Sequence, residues 1–317
     1  MPHRPCPCPS LMGMVRLAGA LGYALMCVWI PLVAPHLSTQ NASGLKSLRY
    51  TPVVPEFIVL DPPGSRKKKV TLQDGRLVTF IAPVESKDLI WIIKEVIHSD
   101  EYGLSNRQLP PNATIVDIGG NIGVASVVLG LTFPTATILT FEPMPLNFQY
   151  LLRNLAVNNI TNVRPHNVGL SKYGQMEQVT FFLKQGGSSG STRRDSLTGD
   201  WVKKNQGKVI NIHTATVDQV YDVYHLNRVD LMKIDCEGCE YSVIPHLANR
   251  TVSRFVGEVH GQLSGLPLEV FDLTIRTLCM QEGQEFGLHV TNCCGRRFEH
   301  HTKRMRQLRL EGGKCKS

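Results

Sequence analysis

The chain has 317 residues, 19% of them charged, and a formal charge of +8. That length and a composition near the globular average allow one large core or two smaller ones, and exclude a disordered chain or a coiled coil. The positive charge gathers in Arg66-Lys67-Lys68-Lys69 and in a tail from Lys303 to Lys316, without interleaved aromatic residues to stack bases, so no nucleic-acid partner is expected.

The first 55 residues contain no Asp or Glu, and an apolar run extends from Leu17 to Ala34 behind Arg4 and Arg16. At 1.5 Å per residue it would make a helix of about 27 Å, enough for a thin bilayer. The first reading is an uncleaved signal anchor, single-pass, with the catalytic part in the lumen of the secretory pathway. A cleavable signal peptide and an organelle transit peptide are the alternatives. Four N-x-S/T sequons, at Asn41, Asn112, Asn159 and Asn249, are compatible with a luminal chain but arise often by chance. Residues 38–55 read as a linker.

Phe57 to Leu60, Lys69 to Leu72 and Leu77 to Ile81 read as short strands, the last two joined through Asp74-Gly75 as a hairpin. Ser86 to His98 carries apolar residues at helical spacing. This block is expected to pack against the edge of the main domain.

The main domain opens with T-I-V-D-I-G-G-N-I-G-V (Thr114 to Val124), an apolar strand ending on a carboxylate and a glycine turn ahead of a helix. A strand from Ala136 to Glu142, a helix after Pro143 and a third strand from Val163 follow, the alternation of half a doubly wound sheet. After Gly169 the alternation breaks: Gln178 to Leu183 and Lys208 to Thr214 look like strands, with the polar stretch Gly186 to Asp195 between them as a loop or a lid. It resumes with Val229 to Asp235, a helix from Cys239 to about Leu247, a strand from Arg254 to His260 and a helix of about Leu268 to Met280. Leu288 to Thr291 and Arg297 to Glu299 suggest a closing antiparallel pair.

The candidates for a site all end predicted parallel strands: Asp117 with Gly119, Gly120 and Gly123, then Glu142, Asn167, Asp235 with Glu237, and Glu258 with His260. That edge is where open α/β sheets bind ligands. The dinucleotide pattern G-x-G-x-x-G fails, because Asn121 and Val124 occupy its second and third glycine positions. Carboxylates without a basic residue in the glycine turn suit hydroxyls, an ammonium and a sulfonium better than a pyrophosphate. S-adenosylmethionine meets that description, with Glu142 accepting from the ribose hydroxyls. Cys236 and Cys239 form a C-x-x-C, but the second pair that a structural zinc site needs is missing, and no metal site is expected.

The combination of I-V-D-I-G-G-N-I-G-V, L-T-F-E-P-M-P-L-N-F-Q-Y-L-L-R-N-L-A-V-N-N, T-A-T-V-D and V-D-L-M-K-I-D-C-E-G-C-E resembles the FkbM family of S-adenosylmethionine-dependent methyltransferases over roughly Leu109 to Gln262. The resemblance implies an α/β fold of the class I methyltransferase type, Rossmann-like, with seven strands and the last one antiparallel. It also implies cofactor contacts at Asp117, Gly119, Asn121, Glu142 and Asp235. Gly120, Cys236 and Cys239 stand where the family usually has small or apolar residues, so the two cysteines read as packing residues. The expected organisation is a targeting segment (1–37), the linker, a β/α extension (56–108), the methyltransferase domain (109–302) and a basic tail (303–317).

Transfer to a hydroxyl requires a base, for which His260 is the first candidate, with Glu258 and Asp235 behind it. The acceptor class is a glycan, lipid or small metabolite. The contrasting reading is a membrane-tethered protein of the same fold that binds without catalysis.

Overall fold

The computed structural model describes residues 61–181 apart from 85, 87 and 106, then 191–193, 208–260 apart from 248–249, and 285–291. The hairpin expected around Asp74-Gly75 forms: β1 (Ser65–Thr71) pairs antiparallel with β2 (Leu77–Pro83), Thr71 opposite Leu77. Gly75 takes φ +86°, and the Asp74 carboxylate accepts from the Arg76 backbone N–H at 3.0 Å, closing the turn. Helix α1 (Asp88–Ile93) runs directly into a π-helical turn, Lys94–His98.

The main sheet then builds in the expected alternation, with β3 (Thr114–Ile118), α2 (Val124–Thr132), β4 (Thr137–Phe141), α3 (Pro145–Val157) and β5 (Val163–His166). A second, four-stranded sheet follows. Its strands are β6 (Gly169–Leu170), β7 (Met176–Phe181), β8 (Ser191–Arg193) and β9 (Lys208–Ala215), in the order β6-β9-β7-β8. Helix α4 (Val217–Tyr224) starts at a capping box, where Thr216 accepts from the Gln219 backbone and Gln219 answers. β10 (Leu231–Ile234) leads to α5 (Glu240–Val243), which tightens into a 3₁₀ turn over Ile244–Leu247, where Pro245 lacks the N–H an α-helix would use. β11 (Arg254–His260) and β12 (Glu285–Thr291) complete the chain's described elements.

Strand order in the main sheet is β12-β11-β10-β3-β4-β5. Alternate residues face opposite layers. Ile115, Ile138 and Leu231 point into a core shared with α2, α3 and the β1–β2 extension, whereas Val116, Leu139 and Met232 point into a second core with α4 and α5. The extension docks through two asparagines one helical turn apart, Asn154 on α3 and Asn158 at its C-cap. Asn154 accepts from Ile81 N (2.7 Å) and donates to Ile81 O (3.0 Å), and Asn158 repeats the pattern at Thr79 (2.9 and 2.8 Å). Their amides stand in for a neighbouring strand along β2.

The expected sheet of seven strands is described in part. Among the described residues the main sheet has six strands, and every pairing is parallel, including β11 with β12, where Gly257 lies opposite Leu288. The intervening residues 261–284 exceed the dozen or so that a parallel crossover needs, so the connection permits this direction. The proposed antiparallel partner Arg297 to Glu299 lies outside the described residues, as do the strand Phe57 to Leu60, the helix Leu268 to Met280, the basic tail, the linker and the apolar run Leu17 to Ala34. No helix of the described residues is long and apolar enough to cross a membrane. Within the stretch Gly186 to Asp195 the described part, Ser191–Arg193, is a strand beside β7 rather than a loop.

Candidate functional site

The glycine turn joins the ends of three neighbouring strands. Gly119 N and Gly120 N both donate to Phe141 O at 3.0 Å, tying the turn to the end of β4. On the other side, a Cβ at Gly119 would lie 1.8 Å from Asp235 O and 3.1 Å from Cys236 Cα. Backbone packs on backbone there, and with φ at +80° only glycine fits.

Beneath the turn the strand register lines up three polar side chains on one face: Lys233 opposite Asp117, and Asp117 opposite Thr140. All three are buried, as is Ser126 of α2, which donates to Asp117 Oδ2 at 2.6 Å and meets Thr140 Oγ1 at 3.1 Å. Lys233 Nζ lies 3.2 Å from Asp117 Oδ1 and donates to Gly119 O at 2.8 Å. Burial opposes its charge, but Asp117 and Asp235 outweigh burial and hold its pKa above the ordinary lysine value. Asp117 therefore supports the turn from inside. The signal for Lys233 was present in V-D-L-M-K-I-D, a lysine within an apolar strand.

Glu142 directly follows β4 and is 5% exposed. Its Oε2 accepts from Asn121 N at 2.7 Å and its Oε1 from Met144 N at 2.9 Å. Burial nevertheless pushes its pKa up to about 7 against these bonds and the field of Lys233. A carboxylate offers about four lone-pair directions, so acceptor capacity is left for a ligand. Asn167 does not point into this cluster as an acceptor. Its amide donates to Glu142 O (2.9 Å) and Pro143 O (3.1 Å) and so fixes the strand exit.

The fourth wall comes from Asp235 and from a segment of the extension that carries no motif pointing to this site. Tyr102, in the turn after the π-helix, is buried and donates to Asp235 Oδ2 at 2.9 Å, with the Lys233 ammonium 5.7 Å from its ring centroid. Burial, then the charges of Asp235 and Glu258, raise the tyrosine pKa well above its usual value. Glu95, on the π-helical turn, feels Glu258, Glu101 and Asp235, and these fields add to burial in raising its pKa to about 7. Glu258 thus joins Asp235, Glu95 and Tyr102 in one electrostatic neighbourhood. His260 ends β11 in register with Thr291, and its side chain lies outside the described residues.

Cys236 and Cys239 do pack against the second core, as expected, but they are also joined by a disulfide. The pair closes the turn between β10 and α5. The buried Glu240 carboxylate accepts from Cys236 N (3.1 Å) and Gly238 N (2.8 Å) inside it.

The arrangement fits the cofactor expected from the sequence on the chemistry of its groups. Partly buried Gly119 and Asn121 lie between the Glu142 and Asp235 carboxylates, and Lys233, the nearby cation, is turned inward onto Gly119 O. Acceptors for hydroxyls and an ammonium surround the turn.

Residues 117–286, more than half of the chain, match the model of the methyltransferase FkbM domain. "Methyltransferase 1" of Beauveria bassiana (strain ARSEF 2860) is 29% identical over 194 residues, covering 56% of this chain and 74% of that protein. "Methyltransferase sdnD" of Sordaria araneosa is 30% identical over 175 residues, covering 49% of this chain and 67% of that protein. "31-O-demethyl-FK506 methyltransferase FkbM" of Streptomyces tacrolimicus is 23% identical over 203 residues, covering 57% and 78%.

Proposed function

The chain belongs to the FkbM family of S-adenosylmethionine-dependent methyltransferases, and on that premise we propose that it methylates a hydroxyl oxygen of a glycan, lipid or small metabolite. The bound cofactor supplies an electrophilic methyl carbon on a sulfonium. Glu142, Asn121 and Asp235 would hold it, with Gly119, Gly120 and Gly123 giving the backbone room and Asp117 and Asn167 bracing the turn.

The observation that carries the oxygen acceptor is the carboxylate group at the ends of β10 and β11. A hydroxyl must lose its proton as it attacks, and a base works best when its pKa lies near the working pH. Glu95, with a pKa raised to about 7 by burial and by Glu258, has that property. Glu258 and Asp235 are its charged neighbours, and His260 ends the strand that carries Glu258. The proton passes to a carboxylate oxygen or to the imidazole. The printed name of the Streptomyces relative, a 31-O-demethyl-FK506 methyltransferase, supports transfer to oxygen for that protein.

Incubating the full chain with methyl-labelled cofactor and a fractionated extract tests this reading. Label is expected in an alkali-stable methyl ether, and is expected to vanish with Glu142→Ala. Label released by mild alkali would mean an ester instead, and label undiminished in Glu142→Ala would remove Glu142 from the site. For the amino-terminal run, the reading is a single-pass anchor with a luminal catalytic part, the organelle leader being the alternative. An endoglycosidase-sensitive mass shift of the expressed chain is its expected signature, and fractionation with mitochondria without that shift would favour the leader.

A further inference from the structure

We propose that Cys236 and Cys239 form a thiol–disulfide exchange site, open to dithiol reductants, whose oxidised state holds the cofactor turn in its binding form. The inference rests on the cofactor reading above and goes beyond it. Both cysteines are partly exposed, so a reductant can reach the bond. The turn they close is in backbone contact with the glycine turn, since Asp235 O and Cys236 Cα occupy the space a Gly119 side chain would need. Asp235 N also donates to Ile118 O at 3.0 Å, so the two strand exits move together.

Inside the disulfide ring, Glu237 and Gly238 hold left-handed backbone conformations, φ +57° and +115°. The first is uncommon for a glutamate and is favoured by an added constraint. With the bond intact, a four-residue ring supplies that constraint. Without it, the turn keeps its hydrogen bonds to Glu240 but loses its covalent closure. Asp235 is the residue immediately before the ring, and its carboxylate is oriented by Tyr102. Loosening the ring therefore frees the surface on which Gly119 rests, next to that carboxylate.

A thiolate of the dithiol attacks one sulfur of the pair, breaking the S–S bond and forming a mixed disulfide. The second thiol of the dithiol then displaces the remaining cysteine. The pair gains two electrons and two protons and becomes two thiols, while the dithiol becomes a cyclic disulfide. If the reduced turn holds its binding form about one tenth of the time, cofactor affinity falls about tenfold. Linkage makes the effect reciprocal: saturating cofactor protects the disulfide by the same factor, about 30 mV for a two-electron couple.

The test uses the purified full chain and S-adenosylmethionine, titrated calorimetrically before and after dithiothreitol, beside a Cys236→Ser/Cys239→Ser variant. Alkylation and peptide mass spectrometry report the state of the pair independently of binding. Binding about tenfold weaker after reduction is expected, with the variant as weak as the reduced protein and indifferent to dithiothreitol. The dithiothreitol concentration that half-reduces the pair should rise about tenfold when the cofactor saturates the site. Equal affinities in both states, a response to dithiothreitol that persists in the variant, or a pair that alkylates fully without reductant would each overturn the proposal while leaving the methyltransferase reading intact. Absence of binding in every form would instead remove the cofactor reading, and the proposal with it.

Discussion

Lys233 sits among apolar residues in β10 with its side chain 3% exposed, and its ammonium answers Asp117 while holding the Gly119 carbonyl. Replacing it with methionine keeps much of the volume but leaves Asp117 buried without its counter-charge, a change that typically costs about 3–5 kcal/mol. Urea denaturation of Lys233→Met is expected to show a loss of that order. The double variant with Asp117→Asn is expected to recover part of it, because the uncompensated charge is gone. Glu142 predicts a pH dependence instead. Its carboxyl, raised from 4.5 to about 7, must be ionised to accept from hydroxyls, so cofactor affinity should fall as the pH drops through about 7. The stability contribution runs the other way. Between about 4.5 and 7 the folded state keeps a proton that the unfolded state releases, so this group's contribution is fully present at the acid end and is lost as the pH rises through that window. Calorimetric titration of the cofactor across this range should give the slope, and Glu142→Gln should flatten it.

At the scale of elements, Asn154 and Asn158 lock β2 against α3. A leucine at 154 would leave Ile81 N, Ile81 O and Ile122 O without the partners they now have, at about 1–3 kcal/mol for each buried group left unsatisfied. Hydrogen exchange at Ile81 is expected to accelerate in Asn154→Leu well before that of Ile138 in β4; unchanged protection at Ile81 would show that the hairpin is held otherwise. This docking could not be read from the sequence, because Ile81 and Asn154 are far apart in the chain and an asparagine in a helix has no local mark of its partner. Tyr102 and Glu95 carry no such mark either: Tyr102 bonds Asp235, and Glu95 feels its charge, from an extension whose apolar spacing reads as packing. The strands are legible, since Ile115 to Ile118 and Leu231 to Ile234 are apolar apart from one charged residue each, Asp117 and Lys233. The glycine turn was legible because Gly119 has to be a glycine where Asp235 O approaches it. The direction of β12 was not, since it depends on a long connection rather than on the composition of the strand. A C-x-x-C spacing likewise suits packing, metal or a bond, and the fold decides among them.

For the molecule as a whole, the boundary expected between 56–108 and 109–302 runs through a continuous core. Phe80, Leu89 and Ile93 of the extension lie in one cluster with Ile115, Val127 and Leu151 of the main sheet and its helices. Such a core cannot lose one side without exposing the other, so the two parts should unfold as one cooperative unit. Trp91 lies in α1, 59% exposed, with the Lys94 ammonium 5.3 Å from its ring centroid, so its fluorescence reports the unfolding of the helical segment of the extension. In a Trp29→Phe/Trp201→Phe variant, where Trp91 is the single tryptophan, its fluorescence in urea should trace the same midpoint as the far-ultraviolet dichroism of the whole chain. An earlier fluorescence transition would mean that the extension is a separate unit docked on a self-sufficient methyltransferase domain. In that case Tyr102 would leave Asp235 before the sheet opened, and cofactor affinity should fall in step with the first transition rather than with the second.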